Sequence, residues 1–210
     1  MEKDSATYKC YEDADLTYKN PFHLQYKKMK LVLKYVRPGN ALIDIGCGTG
    51  EFLFKLRDHF NTLIGIDISP HAIEFTKKRV GEDKNVILHQ GELASFRFPD
   101  EYFNVCLCLD VLEHVRDLSS LLQEIYRILQ AGGEIIVTVP NWYDIINRRI
   151  FNRNPSHVHT LIPWHWMWLL QQAGFKIRFY RSVDFPLLKS DSLSRKFPIF
   201  GMCVFIVASK

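Results

Sequence analysis

The residues best suited to do chemistry are two acids that bracket three glycines. In ALIDIGCGTG, Ala41 to Gly50, an apolar run reaches Asp44 and passes into Gly46, Gly48 and Gly50, after which Glu51 opens a segment of helical spacing. Glycine carries no Cβ, so it takes positive φ angles and lets the backbone lie directly against a ligand. A strand, a glycine turn and a helix together form the nucleotide-cofactor cradle of a doubly wound sheet, although a glycine turn alone is a weak signal. Its neighbours narrow the choice. A dinucleotide fingerprint needs glycine at position 51, where Glu51 stands, and a Walker loop needs Lys and then Ser or Thr after the glycines, which this turn lacks. The charges of Asp44 and Glu51 repel a diphosphate and suit an ammonium or sulfonium cation. The turn reads as a site for a cationic amino acid.

Other candidates lie downstream. Asp67 ends the apolar run LIGIDIS about twenty residues beyond the glycines, where an acid in this architecture accepts from ribose hydroxyls; the alternative is a cap for the helix that starts at Pro70. Glu92 stands just past the run NVILHQ, and Asp110, Glu113 and His114 follow NVCLCL. Histidine titrates near neutrality, so His114 is a candidate general base for a hydroxyl or phenol, or else a helix-start histidine bonded to backbone. His157 and His159, in the HVH stretch, are alternative bases. Arg148, Arg149 and Arg153 either meet an anion or form a solvated face. Trp164, Trp166 and Trp168 either roof an apolar pocket or pack a helix on the sheet.

These residues need strands and helices to bring them together. The sequence alternates short apolar runs with segments of three-four periodicity, which requires right-handed crossovers and a parallel sheet covered on both faces. Helices are predicted from Asn20-Pro21 to Val36, after the glycine turn, from Pro70 to Arg79, from Asp117 to the stop at Gly132-Gly133, and from Pro163 to Gly174. Strands are predicted at residues 41–45, 63–69, 85–90, 104–112, 132–140, 176–185 and 201–210. A long loop before the last of them permits an antiparallel return. Ligands in such a sheet bind at the carboxyl ends of the strands, where Asp44, Gly46, Asp67, Glu92, Asp110 and His114 all fall.

The chain has 210 residues, 47% of them hydrophobic, enough for one substantial core and short for two domains. One domain over residues 1–210 is expected, with an N-terminal arm 1–20 and an insertion 141–162 covering the site. The net charge of +4 is too mild to make nucleic acid the first partner. Five scattered cysteines lack zinc spacing and suggest a reducing compartment, and Cys106 and Cys108 share one face of their strand as small hydrophobes. No run approaches the ~18 apolar residues of a membrane span, and the polar start lacks a signal core, so a soluble cytoplasmic protein is expected.

Taken together, LIDIGCGTG, IGIDIS, QGELASFRFPDEYFNV, LDVLEHV, LQAGGEIIVTVPN and the late helix ending QQAGF resemble the class I S-adenosylmethionine-dependent methyltransferases. Within them they are similar to the small-molecule, ubiquinone-biosynthesis-like branch (methyltransferase type 11). The resemblance runs from Pro21 to Lys210. It implies an α/β, Rossmann-like, seven-stranded and mostly parallel doubly wound sheet whose antiparallel last strand sits between the fifth and sixth. It implies S-adenosylmethionine as cofactor, with Gly46, Cys47 and Gly48 beside its methionine part, Asp44 near the ammonium, Asp67 on the ribose and Ile68 against adenine. Leu93 would offer backbone to the adenine ring and Leu109 would line the methionine end. Glu92 stands where the family usually has Asp facing the adenine amine. Ile162 stands where a capping Thr is common, and Thr160 is the nearest substitute. The base-methylating motif Asn-Pro-Pro-aromatic is replaced by LDVLEH, which lowers a nucleic-acid substrate. The expected activity is methyl transfer to a small aromatic or apolar hydroxyl or carbon acceptor; the alternative is a cofactor-binding regulatory or assembly module.

Overall fold

The strands form on the apolar runs: β1 Gly39–Ile45, β2 Phe60–Asp67, β3 Val86–Gln90, β4 Phe103–Leu109, β5 Leu129–Pro140, β6 Lys176–Val183 and β7 Cys203–Ser209. Expected to reach residue 112, β4 stops at Leu109, because Leu112–His114 winds into a 3-10 turn. Helices α1 Leu24–Tyr35, α2 Glu51–Leu56, α3 Pro70–Val80, α4 Leu118–Ile128 and α5 Pro163–Gln172 alternate with them. The structure, a computed structural model, describes residues 19, 24–141, 157–159, 161–183 and 201–210. Nearly all of the arm 1–20 and much of the insertion 141–162, with Arg148, Arg149, Arg153 and Thr160, lie outside the described residues.

The strand order is β3-β2-β1-β4-β5-β7-β6. Strands β1 to β5 pair in parallel, and β7 enters antiparallel between β5 and β6, as the resemblance implied. Because β7 opposes both neighbours, β6 runs in the direction of β5, and its carboxyl end lies at the same edge as theirs.

Each central strand buries both faces, which explains its near-continuous apolar sequence. Ala41, Ile43, Ile45, Cys106 and Cys108 pack with Leu122, Ile125 and Ile128 of α4 and Trp166 and Leu170 of α5. The alternate residues Leu42, Val105 and Leu107 pack with Met29 and Val32 of α1, Phe52 and Leu53 of α2, and Ile73 and Val80 of α3. Fully burying each such aliphatic side chain contributes about 1.5–3 kcal/mol. The two cysteines therefore serve as small hydrophobes on one face, as their spacing predicts.

Local signals set most helix ends. Ser69 caps α3 by accepting from the Ala72 N–H at 3.3 Å, and Pro70 supplies the first turn. Asp117 caps α4 by accepting from the Ser120 N–H at 3.0 Å. Helix α5 starts on Pro163 with no side-chain cap from Ile162. Two boundaries differ from expectation. Helix α2 is shorter and gives way to a 3-10 turn at Arg57–His59. Helix α4 ends at Ile128, not at Gly132-Gly133, because Leu129 already pairs with Phe103 in the sheet. Gly133 instead permits a close approach of main chain, since a Cβ there would lie 2.9 Å from the Gln130 carbonyl oxygen and 3.1 Å from that of Phe103.

The join between β1 and α2 depends on a glycine. Gly50 has φ +69°, and a Cβ there would sit 2.4 Å from Thr76 Cγ2. Thr76 is fully buried and donates its hydroxyl to the Gly48 carbonyl at 2.8 Å. Gly50→Ala is expected to lower the unfolding free energy by about 2 kcal/mol, from left-handed strain plus the displaced threonine. Urea denaturation checks this, and a variant as stable as the parent would refute the crowding argument.

Candidate active site

The glycine turn is fastened at both ends. Gly46 and Cys47 donate their N–H groups to the Ile66 carbonyl at 2.7 and 3.0 Å, and the Gly50 N–H donates to the Cys47 carbonyl at 2.9 Å. Gly46 and Gly48 take φ of +72° and +51°. A Cβ on Gly46 would meet Val111 Cγ2 at 2.4 Å, so the segment after β4 lies directly against the turn. Cys47 is buried, and burial with the charges of Asp44 and Asp67 pushes its thiol far up, so it stays a neutral thiol beside the turn.

Asp67 holds the turn from β2. Its Oδ2 accepts from the Gly48 N–H at 2.9 Å and its Oδ1 from the Ser69 N–H at 2.8 Å. The cap of α3 is Ser69, so Asp67 is not needed as one. Ile68, next to it, is 70% exposed. Glu92 is exposed just past β3 and gives no side-chain cap to the short turn it precedes, while Leu93 is buried and Leu109, closing β4, is half-buried.

The two bracketing acids differ in role. Glu51 is paired with Arg79 at 2.7 Å and with Lys55 at 3.3 Å, so its charge is compensated and Asp44 alone of the two is left to meet a cation. Asp44 is 2% exposed, and burial, followed by the charge of Asp67, pushes its carboxyl up to about 8. Its buried Oδ2 has no hydrogen-bond partner among the described residues. A buried acceptor without a donor, beside a turn open to backbone contact, fits the ammonium end of an amino-acid cofactor. These residues fit S-adenosylmethionine.

At the carboxyl end of β4 stands a constellation only part of which was readable in advance. Asp110 has φ +57°, a left-handed conformation that costs a non-glycine residue about 1–3 kcal/mol. Its carboxylate accepts from Thr138 Oγ1 at 3.0 Å and from Lys28 Nζ at 2.8 and 2.5 Å. Lys28 is buried on α1 and has no signature in the sequence, since a lysine in a helix ordinarily marks a solvated face. Next, Leu112–His114 forms a 3-10 turn that buries Glu113 and leaves the His114 side chain 36% exposed. His114 lies in that turn, not at a helix start. The HVH stretch docks here: Val158 and His159 donate their N–H groups to the Glu113 carbonyl at 2.8 and 3.0 Å. The His114 and His157 rings meet edge to face, centroids 4.8 Å apart. His114 and the HVH histidines, more than forty positions away, are thus gathered at one strand end.

The tryptophans divide. Trp166 is fully buried against the sheet, whereas Trp164 and Trp168 are exposed. Trp164 lines a groove with Ile177, Phe179 and Tyr180. Ile177 and Phe179 belong to the amino-terminal half of β6 and Tyr180 lies just past its middle, short of the carboxyl end.

The family model described as "Methyltransferase domain" matches residues 43–137, from the glycine turn through β5. Uncharacterized protein MJ0638 of Methanocaldococcus jannaschii is 36% identical over 169 residues, 77% of this chain and 67% of that one. Demethylmenaquinone methyltransferase of Listeria welshimeri is 26% identical over 136 residues, 60% of this chain and 58% of that one. The chain spans 53% of a Mycolicibacterium smegmatis relative and 21% of phosphoethanolamine N-methyltransferase 3 of Arabidopsis thaliana. Among solved structures, the methyltransferase in complex with the Haloferax volcanii Trm112 methyltransferase activator superposes with a TM-score of 0.77 at 17% identity, covering 98% of this chain and 94% of that one.

Proposed function

Because the chain belongs to the class I S-adenosylmethionine-dependent methyltransferases, we propose that it transfers a methyl group to a small acceptor, an aromatic or apolar molecule presenting a hydroxyl or a nucleophilic carbon. One observation carries the reading. A buried Asp44 oxygen without a partner among the described residues lies beside a glycine turn that Asp67 fastens at 2.9 Å. When bound, the cofactor supplies an electrophilic methyl on a sulfonium, and the protein contributes alignment and exclusion of water.

In this reading Asp44 takes the ammonium, Gly46, Cys47 and Gly48 run beside the methionine part, and Leu109 lines it. Asp67 accepts from the ribose hydroxyls, Ile68 packs on adenine, Glu92 accepts from the adenine amine and Leu93 offers backbone to the ring. The exposure of Ile68 and Glu92 and the two N–H bonds already held by Asp67 support these roles. For a hydroxyl acceptor, an imidazole of the cluster His114, His157 and His159 removes the proton, as their gathering beside β4 supports. The relative named demethylmenaquinone methyltransferase favours an apolar acceptor, while the plant relative named phosphoethanolamine N-methyltransferase brings amines into the same screen.

A second reading comes from the solved neighbour bound to an activator: a module that turns over only with a partner chain. No helix among the described residues is long and apolar enough to cross a membrane. The purified chain is expected to bind S-adenosylmethionine in calorimetry and to release S-adenosylhomocysteine with at least one member of a panel of phenols, quinols and amines. Cofactor binding with no release across the panel would favour the module. Binding of NADH in place of S-adenosylmethionine would overturn the site assignment.

A further inference from the structure

We propose that Glu113, His114 and His157 bind a divalent transition-metal ion, Zn²⁺ by preference, at the carboxyl end of β4. Each of the three offers one ligand atom, and these atoms all lie within 4.8 Å of one another. Tetrahedral zinc with bonds of about 2.0–2.2 Å holds its ligand atoms about 3.4 Å apart, so small side-chain rotations close the set. The frame around them is already fixed. The 3-10 turn Leu112–His114 follows β4 directly, and the backbone bonds from Val158 and His159 to the Glu113 carbonyl, 2.8 and 3.0 Å, hold the HVH stretch against it. Residues more than forty positions apart are thereby joined through main-chain bonds.

The chemistry of the set selects the ion. Two imidazole nitrogens and one carboxylate oxygen suit zinc and its first-row neighbours, whereas magnesium and calcium favour oxygen ligands throughout. The Glu113 side chain is 1% exposed, and His114 Nε2 lies 4.0 Å from its Oε1, so carboxylate and imidazole already converge on one spot. Three protein ligands leave a position open, as in catalytic zinc sites, and an oxygen ligand fits there. His159 stays outside the set. Its half-buried ring carries a buried Nε2 with no hydrogen-bond partner among the described residues. Binding of the ion does not depend on the methyl-transfer reading.

The full chain, stripped with a chelator and dialysed, is to be titrated with Zn²⁺ in a calorimeter and with Co²⁺ in a spectrophotometer. One ion per chain is expected, with Co²⁺ giving ligand-field bands and no thiolate charge-transfer band. His114→Ala and His157→Ala are each expected to weaken binding by at least about tenfold, since loss even of a group that only orients a ligand costs 10–100-fold. Glu113→Gln should do the same; because that residue is buried, its melting temperature is checked, and the more accessible His114 keeps the test decisive. Absence of stoichiometric binding, undiminished binding in both histidine variants, or a thiolate band would overturn the proposal. S-adenosylmethionine binding is measured on the same samples. Its loss in the parent chain would count against the methyltransferase reading, and its retention without metal uptake would count against this site alone.

Discussion

Asp67→Ala is expected to weaken S-adenosylmethionine binding by about a hundredfold, the equivalent of one or two hydrogen bonds to a charged group. A carboxylate offers about four acceptor positions over its two oxygens. In this chain one is filled at Oδ2 by the Gly48 N–H and one at Oδ1 by the Ser69 N–H, so each oxygen keeps a lone pair for a ribose hydroxyl. Alanine removes both acceptors and also releases Gly48, whose left-handed φ of +51° positions the turn. Asp67→Asn keeps one oxygen but turns an N–H₂ toward an N–H donor, so it is expected to lose affinity as well, to a smaller degree. The competing account, a purely structural fastening of Gly48 and Ser69, predicts a loss of stability of about 1 kcal/mol with binding unchanged. Calorimetry and denaturation on the same variant separate the two, and unchanged affinity would remove the ribose role.

The contrast between Asp67 and its partners shows what a sequence can disclose. Strands β1, β2, β4 and β5 were readable because a parallel sheet buries both faces of each strand, and that leaves uninterrupted apolar runs. Asp44 was readable for the same reason, as an acid at the end of such a run in the strand between β2 and β4. The Asp67 position followed from its distance beyond the glycines. What escaped depends on tertiary contacts with no local signature. Arg79 reaches Glu51 from α3, 28 positions away, and changes the charge of the turn. Lys28 reaches Asp110 from α1, 82 positions away, and only its burial distinguishes it from other helix lysines. The α4 to β5 boundary misled because two glycines normally end a helix, while here one of them is required by close approach of three carbonyls. His157 and His159 were legible as residue types, but HVH has no periodicity, and its place comes from two backbone bonds to Glu113.

The affinity for S-adenosylmethionine is expected to rise with pH up to about 8, because Asp44 holds its proton in the free protein. Burial, aided by the charge of Asp67, lifts its carboxyl from 3.8 to about 8. At pH 6 the free protein therefore carries a neutral Asp44, and an incoming ammonium favours the ionised form, so binding releases a proton. One released proton makes affinity rise by up to tenfold per pH unit, flattening as pH nears 8, for about fiftyfold from pH 6 to 8. Above that range the cofactor's own amino group, with a pKa near about 7.7–8.0, loses its charge and the curve turns over. Asp44→Asn, with no proton to release, is expected to flatten the acid limb and to be weakest relative to the parent near pH 8. Stability without ligand carries the same sign. The folded pKa lies above the unfolded one, so the contribution of Asp44 is fully present below about pH 4 and is lost as pH climbs through about 8. The melting temperature of Asp44→Asn should accordingly gain on the parent between pH 5 and 9. If the two melting curves keep a constant offset over that range and the affinity of the variant still rises with pH, the proton is not on Asp44 and the ammonium role goes with it.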